Sequence, residues 1–204
     1  MRVKSALLFV SLFAFLWVSS LGHSAPSHPS KYEDYFVYNA LIEHLFIKNK
    51  PNAREFKTLA IASVSVPPEI CNGCPSDFSK KLNESIKRRL RIGDGRLDEL
   101  TERNVRAVSL KDYFWIRGSH ILIDVDKIAS AVPKGDFWGT RYGKYPDIQG
   151  IIRLSRVSYD PDGNSALVYL SSTSGPTWGV GYLAVMEKKS GVWKVKETAV
   201  CWAS

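Results

Sequence analysis

Residues 150–172 read GIIRLSRVSYDPDGNSALVYLSS, and the fold class turns on them. Ile152, Leu154 and Arg156 fall on one side of an extended chain, and Ile151, Arg153, Ser155 and Val157 on the other. That alternation marks a strand. Pro161, Asp162, Gly163 and Asn164 supply a turn, with Gly163 open to positive φ. NSALVYLSS, residues 164–172, is then the returning strand. Further on, VGYLAVMEKK (180–189) and VWKVKETAVCW (192–202) predict a second hairpin, closed around Ser190 and Gly191. These strands form a C-terminal β-meander.

Upstream the period changes. Tyr35, Tyr38, Leu41, Ile42, Leu45 and Phe46 recur at helical spacing, ended by Pro51 and Asn52. TLAIASVSV (58–66) reads as a strand stopped by Pro67 and Pro68. Phe78, Leu82, Ile86 and Leu90 step by four and predict a second helix, whose other face carries Lys80, Lys81, Lys87, Arg88 and Arg91. A basic helical face is ordinarily a solvated one. LDELTERN (97–104) is a short helix, HILIDV (120–125) a strand and DKIASAV (126–132) a helical turn. Residues 105–119 show no clear period. Residues 133–150, rich in glycine and aromatics, read as loop with one helical turn. Helices come first and strands last, without regular βα alternation. The fold class is therefore α+β: N-terminal helices on one face of an antiparallel sheet that ends in the meander.

The N-terminus carries Arg2 and Lys4, an apolar run over residues 6–18, and small residues up to Ser24. This is the pattern of a secretory leader cut near Gly22 or Ser24. The apolar run falls short of the roughly 20 residues a spanning helix needs. Residues 1–24 are read as the leader, 25–31 as a linker and 32–204 as one globular domain. Removing 24 of 204 residues leaves 180, enough for a sizeable core. The net charge of +8 falls to +6 as Arg2 and Lys4 leave. A basic exported chain points toward anionic surfaces or acidic polysaccharides as partners, beside the plain reading of solubility. No recognition motif supports nucleic acid, and no later stretch is apolar and long enough to span a membrane.

Three cysteines remain: Cys71 and Cys74, in CNGCP (71–75), and Cys201. An exported chain can form disulfides, and an odd count leaves one thiol over. Cys71 and Cys74 are a short structural staple or a redox pair. Against the redox reading, Cys74 rather than Cys71 is nearest the following helix. The spacing is also that of half a zinc site, but no second half completes it, and no histidine pair has ligand spacing. No metal, cofactor or catalytic residue is assigned. Gly179 and Gly181 precede a strand rather than a helix, so they ease a tight strand start and do not cradle phosphate.

The best ligand surface in the sequence is GDFWGTRYGKYP (135–146): Trp138, Arg141, Tyr142, Lys144 and Tyr145, joined by Trp178 from another loop. Aromatic faces pack on sugar rings, and Arg and Lys hold anionic groups. The plainer alternative is that these rings close the open end of the core. Arg153 and Arg156, on opposite sides of one strand, imply one buried guanidinium with Asp124 or Glu197 as partner.

KYPDIQGI, LSRVSY, ALVYL, GVGYLAVMEKK, SGVWKV and the terminal WAS resemble a group of exported bacterial proteins, and VYNALIEHLF fits the same group. The likeness covers most of the chain after the leader. It implies export and an α+β fold and carries no mechanism. Such proteins often have cysteines in the loop before Gly-x-Gly; here that loop is STSGPTWGVG, without one. The function expected is a non-catalytic binding or interaction module of the envelope or secretome. The alternatives are thiol–disulfide exchange through Cys71 and Cys74, or a purely structural envelope protein.

Overall fold

A computed structural model describes residues 32–48, 58–69, 76–93, 95–132 and 136–204. The meander is its backbone. Strands β5 (Ser165–Gly175), β6 (Trp178–Lys189) and β7 (Val192–Ala203) pair antiparallel in sequence order, after β3 (Ile148–Leu154) and the two-residue β4 (Ser158–Tyr159). Ser190 and Gly191 both take positive φ, 50° and 78°, as a tight hairpin with the sheet's twist requires.

The sheet does not end there. β1 (Thr58–Ala62) lies parallel to β3, and β2 (Ser119–Ile123) parallel to β1. The order is β2-β1-β3-β5-β6-β7, with β4 beside β5. The α+β class holds, but the sheet is mixed rather than wholly antiparallel. Parallel neighbours need long crossovers. Here α2 (Ser76–Leu90) and α3 (Arg96–Arg103) join β1 to β2, while α4 (Val125–Ser130) and α5 (Phe137–Lys144) join β2 to β3.

Helices cover both faces, not one. On the first face, α1 (Glu33–Ile42) continues as a π-helix (Glu43–Lys48). Tyr38, Leu41 and Ile42 pack there with Ile61, Ile152, Leu154, Val168 and Met186. On the other face Leu97, Leu100 and Ile86 meet Leu167, Tyr169 and Leu183. Further along that face α4 and α5 cover Ala60, Ala62 and Ile151. Strand alternation sends Leu59 and Ile61 one way and Ala60 and Ala62 the other.

The expected single strand over 150–160 is broken at residues 155–157. The Ser155 N–H still donates to the Tyr169 carbonyl (2.9 Å), and side chains satisfy neighbouring backbone groups. The Tyr38 hydroxyl donates to the Ser155 carbonyl (2.8 Å), and the Asn104 side chain accepts from the Arg156 N–H (2.6 Å). The alternation slips there, so Val157 joins Ile152 and Leu154 in the core. Arg156 turns out to donate to the Arg103 carbonyl (2.9 Å), and Arg153 donates to the Thr173 hydroxyl (3.2 Å). Neither takes the expected partners. Asp124 instead caps α4 and Glu197 lies 3.9 Å from Arg89.

Candidate functional site

The residues at the end of β5 and the start of β6 include several small ones. Ser172, Ser174, Gly175 and Gly179 have no bulk to fill the first face of the sheet beside Gly150. A cleft of about 840 Å³ opens above them. Leu45 and Phe46 of the π-helix form one wall, and Leu59, Ile148 and Ile152 the base. Tyr182 and Val180 line the far side, and Trp178 stands on the rim, 70% exposed. Among the described residues, none of the lining side chains is charged. Ser204 is pinned at its edge by backbone hydrogen bonds with Gly179 in both directions, 2.9 and 3.2 Å. Such a site offers apolar walls with a few hydroxyls, the usual build of a small-molecule pocket.

Gly179 and Gly181 also serve the opposite face. A Cβ on either would run into the ring of Trp202, which covers both positions. Trp202 Nε1 donates to the Tyr169 hydroxyl (2.8 Å). The structural reading of this motif holds, with ring clearance rather than an eased strand start as its cause.

The six surface candidates do not form one surface. Trp138 and Tyr145 pack into the apolar cluster under α5, across the sheet from the cleft. Arg141 is fully buried, donating Nη1 to the Ile148 carbonyl (2.6 Å), with its guanidinium 5.2 Å from the Trp138 ring centre. Lys144 is exposed, its ammonium 5.4 Å from the Tyr145 ring. Tyr142 belongs to α5, but its side chain lies outside the described part of the structure. Of the five candidates whose side chains are described, Trp178 alone lines the cleft.

Cys71 and Cys74 lie outside the described residues. Cys201 is a buried free thiol on β7, and burial pushes its pKa up to about 12. A thiol so protonated is a poor nucleophile at neutral pH. His120 lies 2.8 Å from Asp112, an ion pair when the imidazole is protonated. Among the described residues no group of three His, Cys, Asp or Glu side chains could hold a metal ion, and no helix is long and apolar enough to cross a membrane.

Sequence reasoning passed over Leu45 and Phe46 as cleft walls, because helical spacing counts them only as core. It also passed over a row of exposed rings, Tyr32, Phe36, Tyr113 and Trp115. Two of these fall in residues 105–119, where no period was visible. The available signal was the alternation of Phe114 and Ile116, both buried, with Tyr113 and Trp115.

No family model, curated protein or solved structure matched this chain.

Proposed function

We propose that the chain is an exported, non-catalytic binding module of the cell envelope or secretome. It takes a small, uncharged, largely apolar ligand in the cleft beside Trp178. One observation carries this reading: a cleft of about 840 Å³ with no charged side chain among its described lining residues and with an exposed indole at its mouth. Against the described lining, a charged substrate would lose its hydration without a counter-charged side chain. An apolar body bearing one or two hydroxyls fits the walls and the Ser172 and Ser174 hydroxyls. The leader-like N-terminus and the resemblance to exported bacterial proteins support the location.

The test is a thermal-shift screen with a panel of uncharged amphiphiles and glycosides, run on the native protein and on Trp178→Ala. A true ligand at a hundred times its Kd stabilises by about 2.7 kcal/mol, hence by several degrees. Trp178→Ala weakens the response without lowering the unliganded Tm. Equal shifts in both proteins, or none in either, would sink the reading.

Cys71 and Cys74 are proposed as a disulfide staple. The supporting argument is their oxidising destination and the sequestration of Cys201. Alkylation of native protein should then label no cysteine, unfolding should release Cys201, and reduction should release all three. Rapid labelling of Cys71 or Cys74 in the native state would replace the staple with the redox alternative.

A further inference from the structure

The exposed aromatic row is held in place by α1. The Tyr35 hydroxyl accepts from the Lys111 N–H (2.7 Å), and Asn39 Oδ1 accepts from the Trp115 N–H (3.1 Å). These bonds fix an extended segment whose Phe114 and Ile116 point inward. Tyr113 and Trp115 therefore point out, at 38% and 52% exposure. They meet Tyr32 and Phe36, one helical turn apart on α1 and each about half exposed. The Tyr32–Tyr113 and Phe36–Trp115 centroids are 5.0 and 4.7 Å apart, both edge-on. Phe36, Trp115 and Val192 then run into a second groove of about 580 Å³ beside β7. A contiguous row of exposed rings is uncommon on a free surface and marks a contact site.

The surrounding charge is positive. Lys48, Lys111 and Arg117 flank the row, with His44 in the groove. The nearby acids are Glu33, Asp34, Glu43 and Asp112; Glu33 pairs with Lys188 (2.7 Å), and Asp34 accepts from the Tyr159 hydroxyl (2.8 Å). Arg117 lies 3.3 Å and Lys48 3.9 Å from Glu43, and Asp112 meets His120. Trp, Tyr and Phe rings with flanking Lys and Arg suit one environment in particular, the head-group layer of a lipid bilayer. The rings sit among the glycerol esters and the cations meet anionic head groups.

We infer that this ledge docks the protein on a bilayer surface carrying anionic lipid. The inference does not depend on the cleft or its ligand.

Co-sedimentation with vesicles tests it, using the natively processed protein. One set is phosphatidylcholine alone, and the other adds phosphatidylglycerol. Binding is expected to favour the anionic vesicles, and Arg117→Gln should weaken it about fivefold. Phe36→Ser with Trp115→Ser should lower it by about tenfold or more. Val105→Ser, an exposed apolar position outside the ledge, should leave it unchanged. Should the double variant lose Tm, Trp115→Gln replaces it, and Trp115→Phe should restore binding. Three results would overturn the inference: native protein remaining in the supernatant with both vesicles, ledge variants sedimenting like native protein, or a vesicle-free dimer that Trp115→Gln disperses. Displacement from vesicles by a soluble acidic polysaccharide through the same rings would do so too, since the ledge would then be a glycan site.

Discussion

Two aromatic, basic segments of this chain meet opposite fates. Residues 135–146 hold two Trp or Phe rings, two Tyr, and Arg141 and Lys144; residues 111–117 hold Tyr113, Phe114, Trp115, Lys111 and Arg117. By composition the first is the richer ligand surface. In the fold it is a lid, closing over Ala60, Ala62 and Ile151, with Arg141 entirely buried. The second alternates rings inward and outward and leaves two of its three rings exposed. The deciding factor is what lies beneath. Small alanines on β1 leave a hollow that Trp138 and Tyr145 fill. Under the second segment Tyr35 and Tyr38 already fill the space, so Tyr113 and Trp115 have nowhere to go but out.

Mutations can break or sharpen that contrast. The largest effect is expected at Arg141. Arg141→Ala removes the hydrogen bond to the Ile148 carbonyl and opens a hole in a fully buried site, so urea unfolding should show a loss of about 3 kcal/mol. A loss under about 0.5 kcal/mol would mean that the segment is a loose surface after all. Trp138→Ala should cost about 2 kcal/mol, and its counterpart Trp115→Ala less than about 1 kcal/mol, in the same assay. Equal costs would erase the distinction between lid and ledge.

The smallest effect concerns pH and lies in Glu33 and Asp34 of the ledge helix. Burial tends to raise the Glu33 pKa, but hydrogen bonds from Lys188 and Trp193 outweigh it and hold the pKa below the usual 4.5. Its stabilisation is present above 4.5 and is lost as pH falls through the lowered value. Asp34 behaves oppositely. Burial raises its pKa above the usual 3.8, and the Tyr159 hydrogen bond with Arg103 and Arg156 offsets this only in part. Its contribution is full below 3.8 and is lost as pH rises through the raised value. Denaturant midpoints across this range should flatten on the acid side in Glu33→Gln and on the ascending side in Asp34→Asn. Matching profiles in both variants would contradict the opposed signs.

The meander was legible because its evidence is local: period-two alternation, Asp162-Gly163 and Ser190-Gly191. The parallel strands β1 and β2 were visible as strands but not as neighbours of β3. Five-residue strands joined by helical crossovers carry no local mark of their pairing. Helix α5 was reduced to a single turn because Gly139 and Gly143 weaken its local signal. Packing supplies what propensity lacks. Trp178 was legible as a ligand candidate. Its cleft was not, since the absence of bulk at Gly150, Ser172 and Ser174 matters only once the strands lie side by side.

The π-helix over Glu43–Lys48 stands between the cleft and the ledge. Leu45 and Phe46 face the cleft, while Glu43, His44 and Lys48 face the second groove. Its wider i→i+5 turn sets that division. Deleting one residue there would rewind the segment toward an α-turn and rotate the two sets of side chains off their respective sides together. The two surfaces thus share a single party wall, and neither can be remodelled while the other stays as it was.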